Sequence, residues 1–121
     1  MSIEADFRAT LVAHAPLLAL VPAARIAQNA VEDGAPGAAV VFTTSHAPVL
    51  GLGNTQLGDI CSIEVQCWAG SAAAAEALAD AVAAAIATAP AASAACVTAR
   101  ASTFDPDTGQ DGCVLAVEWW E

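Results

Sequence analysis

The chain of 121 residues contains no lysine and no tyrosine, and only Arg8, Arg25 and Arg100 carry fixed positive charge. Without lysine there is no Schiff-base nucleophile, no phosphate-loop lysine and no Ser-Lys dyad. Thirteen acidic residues leave a net charge of −10. That balance opposes binding to nucleic acid, which needs Lys and Arg on the phosphates, and to an anionic membrane surface. Charged residues make up 13% and aromatics 5% of the chain, so the core must be built largely from small side chains. No apolar run is long enough to cross a membrane, since the alanine tract is short and carries Glu76 and Asp80. "MSIEADFRATL" has acids where a secretory leader would have a basic start. A cytosolic product is therefore expected, with Cys61, Cys67, Cys96 and Cys113 reduced. None of these four forms a CxxC pair.

The residues that are present predict an order α-β-β-α-β-β in a single domain spanning residues 1–121. Ile3, Phe7 and Leu11 recur four apart, the period of an amphipathic helix. The segment ends before Pro16, and "PLLALV" reads as a further helical turn closed by Pro22. "EDGAPG" (32–37) is a loop by composition, and "AAVVFTTS" (38–45) is a strand rich in β-branched residues. Residues 46–59, "HAPVLGLGNTQLGD", read as a long loop of the kind that carries function.

"ICSIEVQCW" (60–68) alternates with period two, placing Cys61, Ile63, Val65 and Cys67 on one face and Ser62, Glu64, Gln66 and Trp68 on the other. Ser71 is positioned to cap an alanine-rich helix whose stripe is Leu78, Val82 and Ile86, flanked by Ala75, Ala79 and Ala85 and stopped by Pro90. "CVTARASTF" (96–104) and "GCVLAVEWW" (112–120) are two further strands, joined by the turn-rich "DPDTGQDG". The expected fold is α+β: an antiparallel four-stranded sheet with two main helices packed on it. Alanine is the strongest helix former, and its thin side chain lets a helix lie close to a sheet or a second subunit.

Catalytic and cofactor patterns find little support. "GLGNTQLG" has the wrong glycine spacing for a dinucleotide loop and does not open a helix. Ser45 and His46 are adjacent on a strand and so face opposite ways. Asp105, Asp107 and Asp111 resemble a calcium loop only in part, because Ala116 stands where a bidentate Glu belongs. The cysteines share strand faces with Ile63, Val65, Leu115 and Val117, which marks them as small core hydrophobes. Neither a metal nor a cofactor is expected. Trp119 and Trp120 are consecutive on a strand, so one joins the core and Trp120 lies on the other face with Glu118. Trp68 lies on the face of Glu64 and Gln66.

Three segments in order resemble the tail terminator, or tail-completion, proteins of long-tailed phages and phage-derived gene transfer agents. They are "LLALVPAARIAQNAVEDGAPGAAVVF", "GLGNTQLGDICSIEVQCWAGSAAAAEALADAVAAAI" and the closing hairpin "FDPDTGQDGCVLAVEWW". The resemblance implies a structural, non-enzymatic protein made in the bacterial cytoplasm and carried at the tail–neck junction of a virion or virus-like particle. It implies a homo-oligomeric ring, a hexamer by family analogy, at the head-proximal end of the tail tube. Such a ring ends tube polymerisation and joins the tail to the head connector or stopper. Its partners are then copies of itself, the major tail tube protein and the connector.

Six copies at −10 each give about −60, a lumen through which DNA passes without specific binding. Trp68, Trp120, Arg8, Arg25 and Arg100 are candidate subunit contacts, since Trp and Arg are enriched at interfaces. Val49, Leu50, Leu52 and Leu57 are candidates for contact with tube or connector. Two other readings stay open: a head-closure adaptor ring of the same particle, or a small metal- or ligand-binding domain using His14, His46 and the aspartates.

Overall fold

The computed structural model describes residues 3–29, 37–54, 56–88 and 94–120. Among these residues there are three α-helices: α1 (Ile3–Val12), α2 (Ala15–Leu18) and α3 (Ala72–Ile86). Five strands, β1 (Ile26–Gln28), β2 (Ala39–Leu50), β3 (Gln56–Ala69), β4 (Ala94–Asp105) and β5 (Gln110–Trp120), form one sheet in the order β1-β2-β3-β5-β4. β1 runs parallel to β2, and every other neighbouring pair is antiparallel. No helix among the described residues is long and apolar enough to cross a membrane.

The class is α+β, but the expected antiparallel four-stranded sheet with two main helices is corrected to a mixed five-stranded sheet with three helices. The additional strand β1 pairs Ile26, Ala27 and Gln28 with Val40, Val41 and Phe42. Three residues are too few for a period of two to stand out, and tertiary pairing alone makes the segment a strand. The expected loop at 46–59 is also replaced. β2 continues to Leu50 and β3 begins at Gln56, with a short 3-10 turn at Leu52–Asn54 between them. Gly and Pro residues read as loop signals are accommodated in a long hairpin, Pro48 facing Asp59 and Val49 facing Gly58. Residues 32–36 of the acidic loop, and Pro90, lie outside the described residues.

Period-two alternation builds the core on one sheet face. Cys61, Ile63, Val65 and Cys67 of β3 and Cys113, Leu115, Val117 and Trp119 of β5 are buried there, with Val40 and Phe42 of β2. α3 packs on β3 and β5 through Ala75, Leu78, Ala79, Val82, Ala85 and Ile86. The Ser71 side chain caps α3 by accepting from the Ala74 N–H at 3.2 Å. α1 inserts Phe7 edge-on between two rings, 5.0 Å from Phe42 and 5.7 Å from Trp119 between centroids, a favourable aromatic geometry.

α1 is also tied to β2 by a polar contact. Glu4 accepts from His46 Nε2 at 2.6 Å and from Thr44 Oγ1 at 3.0 Å. The His46 hydrogen bond is the chief reason the Glu4 carboxyl is held below its usual 4.5, with a backbone hydrogen bond next. The hairpin between β4 and β5 is closed locally: Asp105 Oδ1 accepts from the Asp107 N–H at 3.0 Å, and Gly109 supplies the positive φ of 69°. Close to the turn of the same hairpin Gly112 faces Trp68 across the strand pair. A Cβ there would lie 2.7 Å from the Trp68 ring and 2.8 Å from Thr103 Cγ2. Glycine is thus required at 112 by close approach, and the indole fills the space a side chain would take.

Trp119→Ala is expected to lower unfolding free energy by about 3–5 kcal/mol in urea titrations, the usual cost of emptying a large core site. Gly112→Ala is expected to cost about 1–3 kcal/mol through overpacking, and less in a Trp68→Ala background. Equal costs in both backgrounds would show that the ring is not what constrains Gly112. Because the folded-state value of Glu4 lies below its unfolded value, its contribution is complete above the unfolded value and is lost as pH falls through the folded one. The stability gap between the wild type and Glu4→Gln is therefore expected at neutral pH and to close below about 4.5. A gap constant with pH would break this linkage.

Candidate assembly surface

Among the described residues the helices cover one face of the sheet and leave the other open. Strand alternation puts Thr43, Ser45, Ser62, Glu64, Ala116 and Glu118 on that open face, with Ala99, Ala101 and Thr103 of β4 beside them. The side chains are mostly small, and a shallow groove of about 390 Å³ runs between Thr43, Ser62, Glu64, Thr98 and Glu118. Its charge is acidic. Glu64 and Glu118 lie on it, and none of the three arginines does.

Each arginine is engaged elsewhere within the chain. Arg8 of α1 donates from Nε to the Ile26 carbonyl and from Nη2 to the Ala23 carbonyl, both at 3.0 Å. Those bonds fasten α1 to the start of β1. Arg25 donates from Nε to the Ala38 carbonyl at 2.9 Å, just before β2. Arg100, opposite Leu115 on the helix side of the sheet, donates to Asp80 at 2.6 Å and to the Glu76 carbonyl at 3.2 Å on α3. The Asp80 contact raises the Arg100 pKa further. Arginine scarcity pointed in the sequence to interfaces; in the fold the same residues first hold elements of one subunit together.

The tryptophans divide as the strand period requires. Trp119 is fully buried, whereas Trp120 is 41% exposed on the open face. Trp68 is half-buried over Gly112. Leu52 stands fully exposed at the tip of the β2–β3 hairpin. The side chains of Val49, Leu50 and Leu57 lie outside the described residues, although their backbones belong to β2 and β3. The nine candidate contact residues therefore do not form one patch. Trp68 and Trp120 share the open face, Leu52 marks the hairpin tip, and the arginines lie with the helices.

Two chemical possibilities can be assessed by geometry. Cys61 Sγ is 3.9 Å from His46 Nε2, and Glu4 Oε1 contacts that same nitrogen at 2.6 Å. In a nucleophile relay the imidazole uses one nitrogen for the thiol and the other for the orienting acid. Here a single nitrogen faces both groups, and Cys61 is fully buried. Cys67 is no better placed, since burial, reinforced by the neighbouring Cys113, pushes its thiol up to about 12. Of the four cysteines only Cys96 is exposed. Among the described residues, no group of three or more His, Cys, Asp or Glu side chains is arranged to hold a metal ion. His14 is the cap residue before α2 and its side chain makes no capping bond, while Asp105 closes its own turn.

Sequence reasoning did not anticipate Glu4 and Thr44 as partners of His46, the contact of Trp68 with Gly112, or the extent of the open face. The alternation of β3 and β5 contained the signal for the last of these, since Ser, Glu, Gln and Ala recur opposite the core positions.

Comparison with known proteins gives a consistent picture. No curated protein matches the chain. Among solved structures, a chain from the virion of a native gene transfer agent (GTA) particle is similar, with a TM-score of 0.79 and 21% identity, over 98% of this chain and 93% of that one. At that identity the likeness is one of fold. The sequence profile described as tail completion protein gp17 matches residues 5–121, nearly the whole length. The chain therefore belongs to the tail completion protein gp17 family, a family of structural proteins of the virion tail.

Proposed function

We propose that the chain acts as one domain over residues 1–121 and assembles with copies of itself into a ring at the head-proximal end of the tail tube. There it ends tube polymerisation and presents a docking surface to the head connector, without catalysing bond chemistry. The observation that carries this reading is a sheet with one face left open in a chain of the tail completion family. A core of this size, rich in alanine and placed on one side of the sheet, suits a protein that is stabilised by its neighbours.

The open face fits the lumen of such a ring. It holds Glu64 and Glu118 and no basic residue, so it repels phosphates and lets DNA slide past. The β2–β3 hairpin, with Leu52 exposed at its tip, suits axial contact with tube or connector, as do Val49, Leu50 and Leu57 in the same hairpin. Contacts within a closed ring are heterologous, one patch meeting a different one. Trp68 and Trp120 at the margins of the open face are suited to that role, and Arg8, Arg25 and Arg100 can add to it beyond their internal bonds.

Purified tail tubes incubated with the full chain are expected to gain a cap at one end, visible by electron microscopy, and to stop lengthening when tube protein is added. Unchanged ends and continued elongation would overturn the capping role. Leu52→Asp is expected to weaken cap formation while leaving the unfolding free energy from urea titration within about 0.5 kcal/mol of wild type, as for most exposed substitutions. Full capping by this variant would remove the hairpin tip from the contact.

A further inference from the structure

β4 is the outer strand of the sheet, and apart from one bulge and one arginine it lacks the usual protections of an edge. Such strands are generally short, covered, or interrupted by Pro and Lys, because their outward N–H and C=O groups recruit other chains. β4 runs from Ala94 to Asp105, contains no Pro, and carries Arg100 as its one basic residue. Every residue from Cys96 to Phe104 is exposed, including Val97 and Phe104. The bulge between Val97 and Ala99 bends it, yet pairing with β5 resumes on both sides. A strand this long and this sparsely charged is suited to being covered in the working state.

The opposite edge of the sheet is incomplete in a complementary way. β1 shields β2 only along Val40–Phe42. Beyond it, among the described residues, no strand lies beside Thr43–Ala47, where Thr43, Ser45, His46 and Ala47 are exposed. Strand directions fix how the two edges can meet. From β2 through β3 and β5 to β4 each neighbour is antiparallel, so β4 runs opposite to β2. Rotation about an axis lying roughly along the strands preserves those directions from copy to copy. β4 of one copy then meets β2 of the next in antiparallel sense, and the alternation continues around a closed ring. A parallel meeting, less stable per residue, would follow if the number of long strands were odd.

We infer that the subunits join by sheet extension, the outer edge of β4 in one copy pairing antiparallel with Thr43–Ala47 of β2 in the next. The inference rests on the ring proposed above and specifies its subunit contact. Pairing at these two edges satisfies both at once. A two-fold pairing of β4 with β4 would satisfy one and leave the β2 edge bare. The contact sets the open faces of successive copies side by side as one continuous acidic surface. Pro48, which has no N–H to donate, sits just beyond Thr43–Ala47 and limits the length of the seam.

Hydrogen exchange read by mass spectrometry on the full chain, free and assembled on purified tail tubes, tests the seam. On assembly, amides in 94–105 and in 43–47 are both expected to slow by about tenfold or more, as newly bonded edge groups do. A ring present at the tube end with exchange in 94–105 unchanged would overturn the inference and leave the ring intact. Slowing of 94–105 with 43–47 unchanged would overturn it in favour of β4–β4 pairing. Failure of the chain to assemble at all would instead overturn the ring reading beneath it. As a second variant, Ala101→Lys places a charge on the exposed edge strand. It is expected to keep the far-ultraviolet dichroism of the wild type and to lose assembly, and assembly as complete as that of the wild type would count against the seam.

Discussion

The structure depends on the period-two alternation of a sheet that is covered on one side only. From Cys61 to Ala69 in β3 and from Cys113 to Trp119 in β5 every second residue is apolar and buried. Between them stand Ser62, Glu64, Gln66, Val114, Ala116 and Glu118, with Trp68 at the end of β3 and Trp120 at the end of β5. Once α1, α2 and α3 take the apolar side, the remaining face has no helix left to cover it. That one constraint sets the positions of Glu64, Glu118, Trp68 and Trp120, and with them the surface available to other chains. A slip of one residue in the pairing of β3 with β5 would exchange the two faces. Slipped in β5, it would expose Leu115 and Val117 and bury the Glu118 carboxylate. The register is therefore held by the cost of burying charge as well as by hydrophobic gain.

Alanine determines how the cover sits. α3 presents Ala75, Ala79 and Ala85 beside Leu78, Val82 and Ile86, so part of its contact with β3 and β5 is made by methyl groups. Each contributes little burial, and the large side chains are concentrated on the sheet and α1, where Phe7, Phe42 and Trp119 meet. Arg100 reinforces the seating by bridging β4 to Asp80 and the Glu76 carbonyl on α3. Because Arg100 and Asp80 are both substantially exposed, that pair orients more than it stabilises.

What was legible in the sequence was whatever repeats. The Ile3–Phe7–Leu11 spacing, the alternation from Cys61 to Trp68, the Ser71 cap and the division between Trp119 and Trp120 all appear in the fold as their periods require. What was not legible depends on pairing between distant segments. β1 exists because Ile26–Gln28 finds Val40–Phe42, and β2 passes through Pro48 to Leu50 because β3 extends to meet it. Gly112 stands in the sequence where the turn-rich stretch meets the strand read at 112–120, and nothing there shows that it is vacated for an indole from β3. The arginines illustrate the same limit. Composition showed that they are scarce, but the carbonyls they would find were set only by the tertiary fold. The candidate surface was legible as a face of β3 and not as a whole, because its breadth comes from strand order.

Strand order also links the surface to the family. The proposed cap has to stop the growth of a repeating assembly, whereas a sheet with unprotected edges promotes growth unless its edges are used up. Closure resolves the conflict. In the heterologous ring proposed above each β4 would be covered by a β2, leaving no free edge from which to add further subunits sideways. The chain would then need no dedicated device to limit its own polymerisation, because the geometry that recruits a neighbour is exhausted when the ring closes. In the proposed ring the face left inside would carry acids and no base, and the hairpin between β2 and β3 would project from the strand proposed to receive the neighbour's β4. Subunit contact and axial contact would then share one element, so closing the proposed ring would also fix the β2–β3 hairpins in a common orientation.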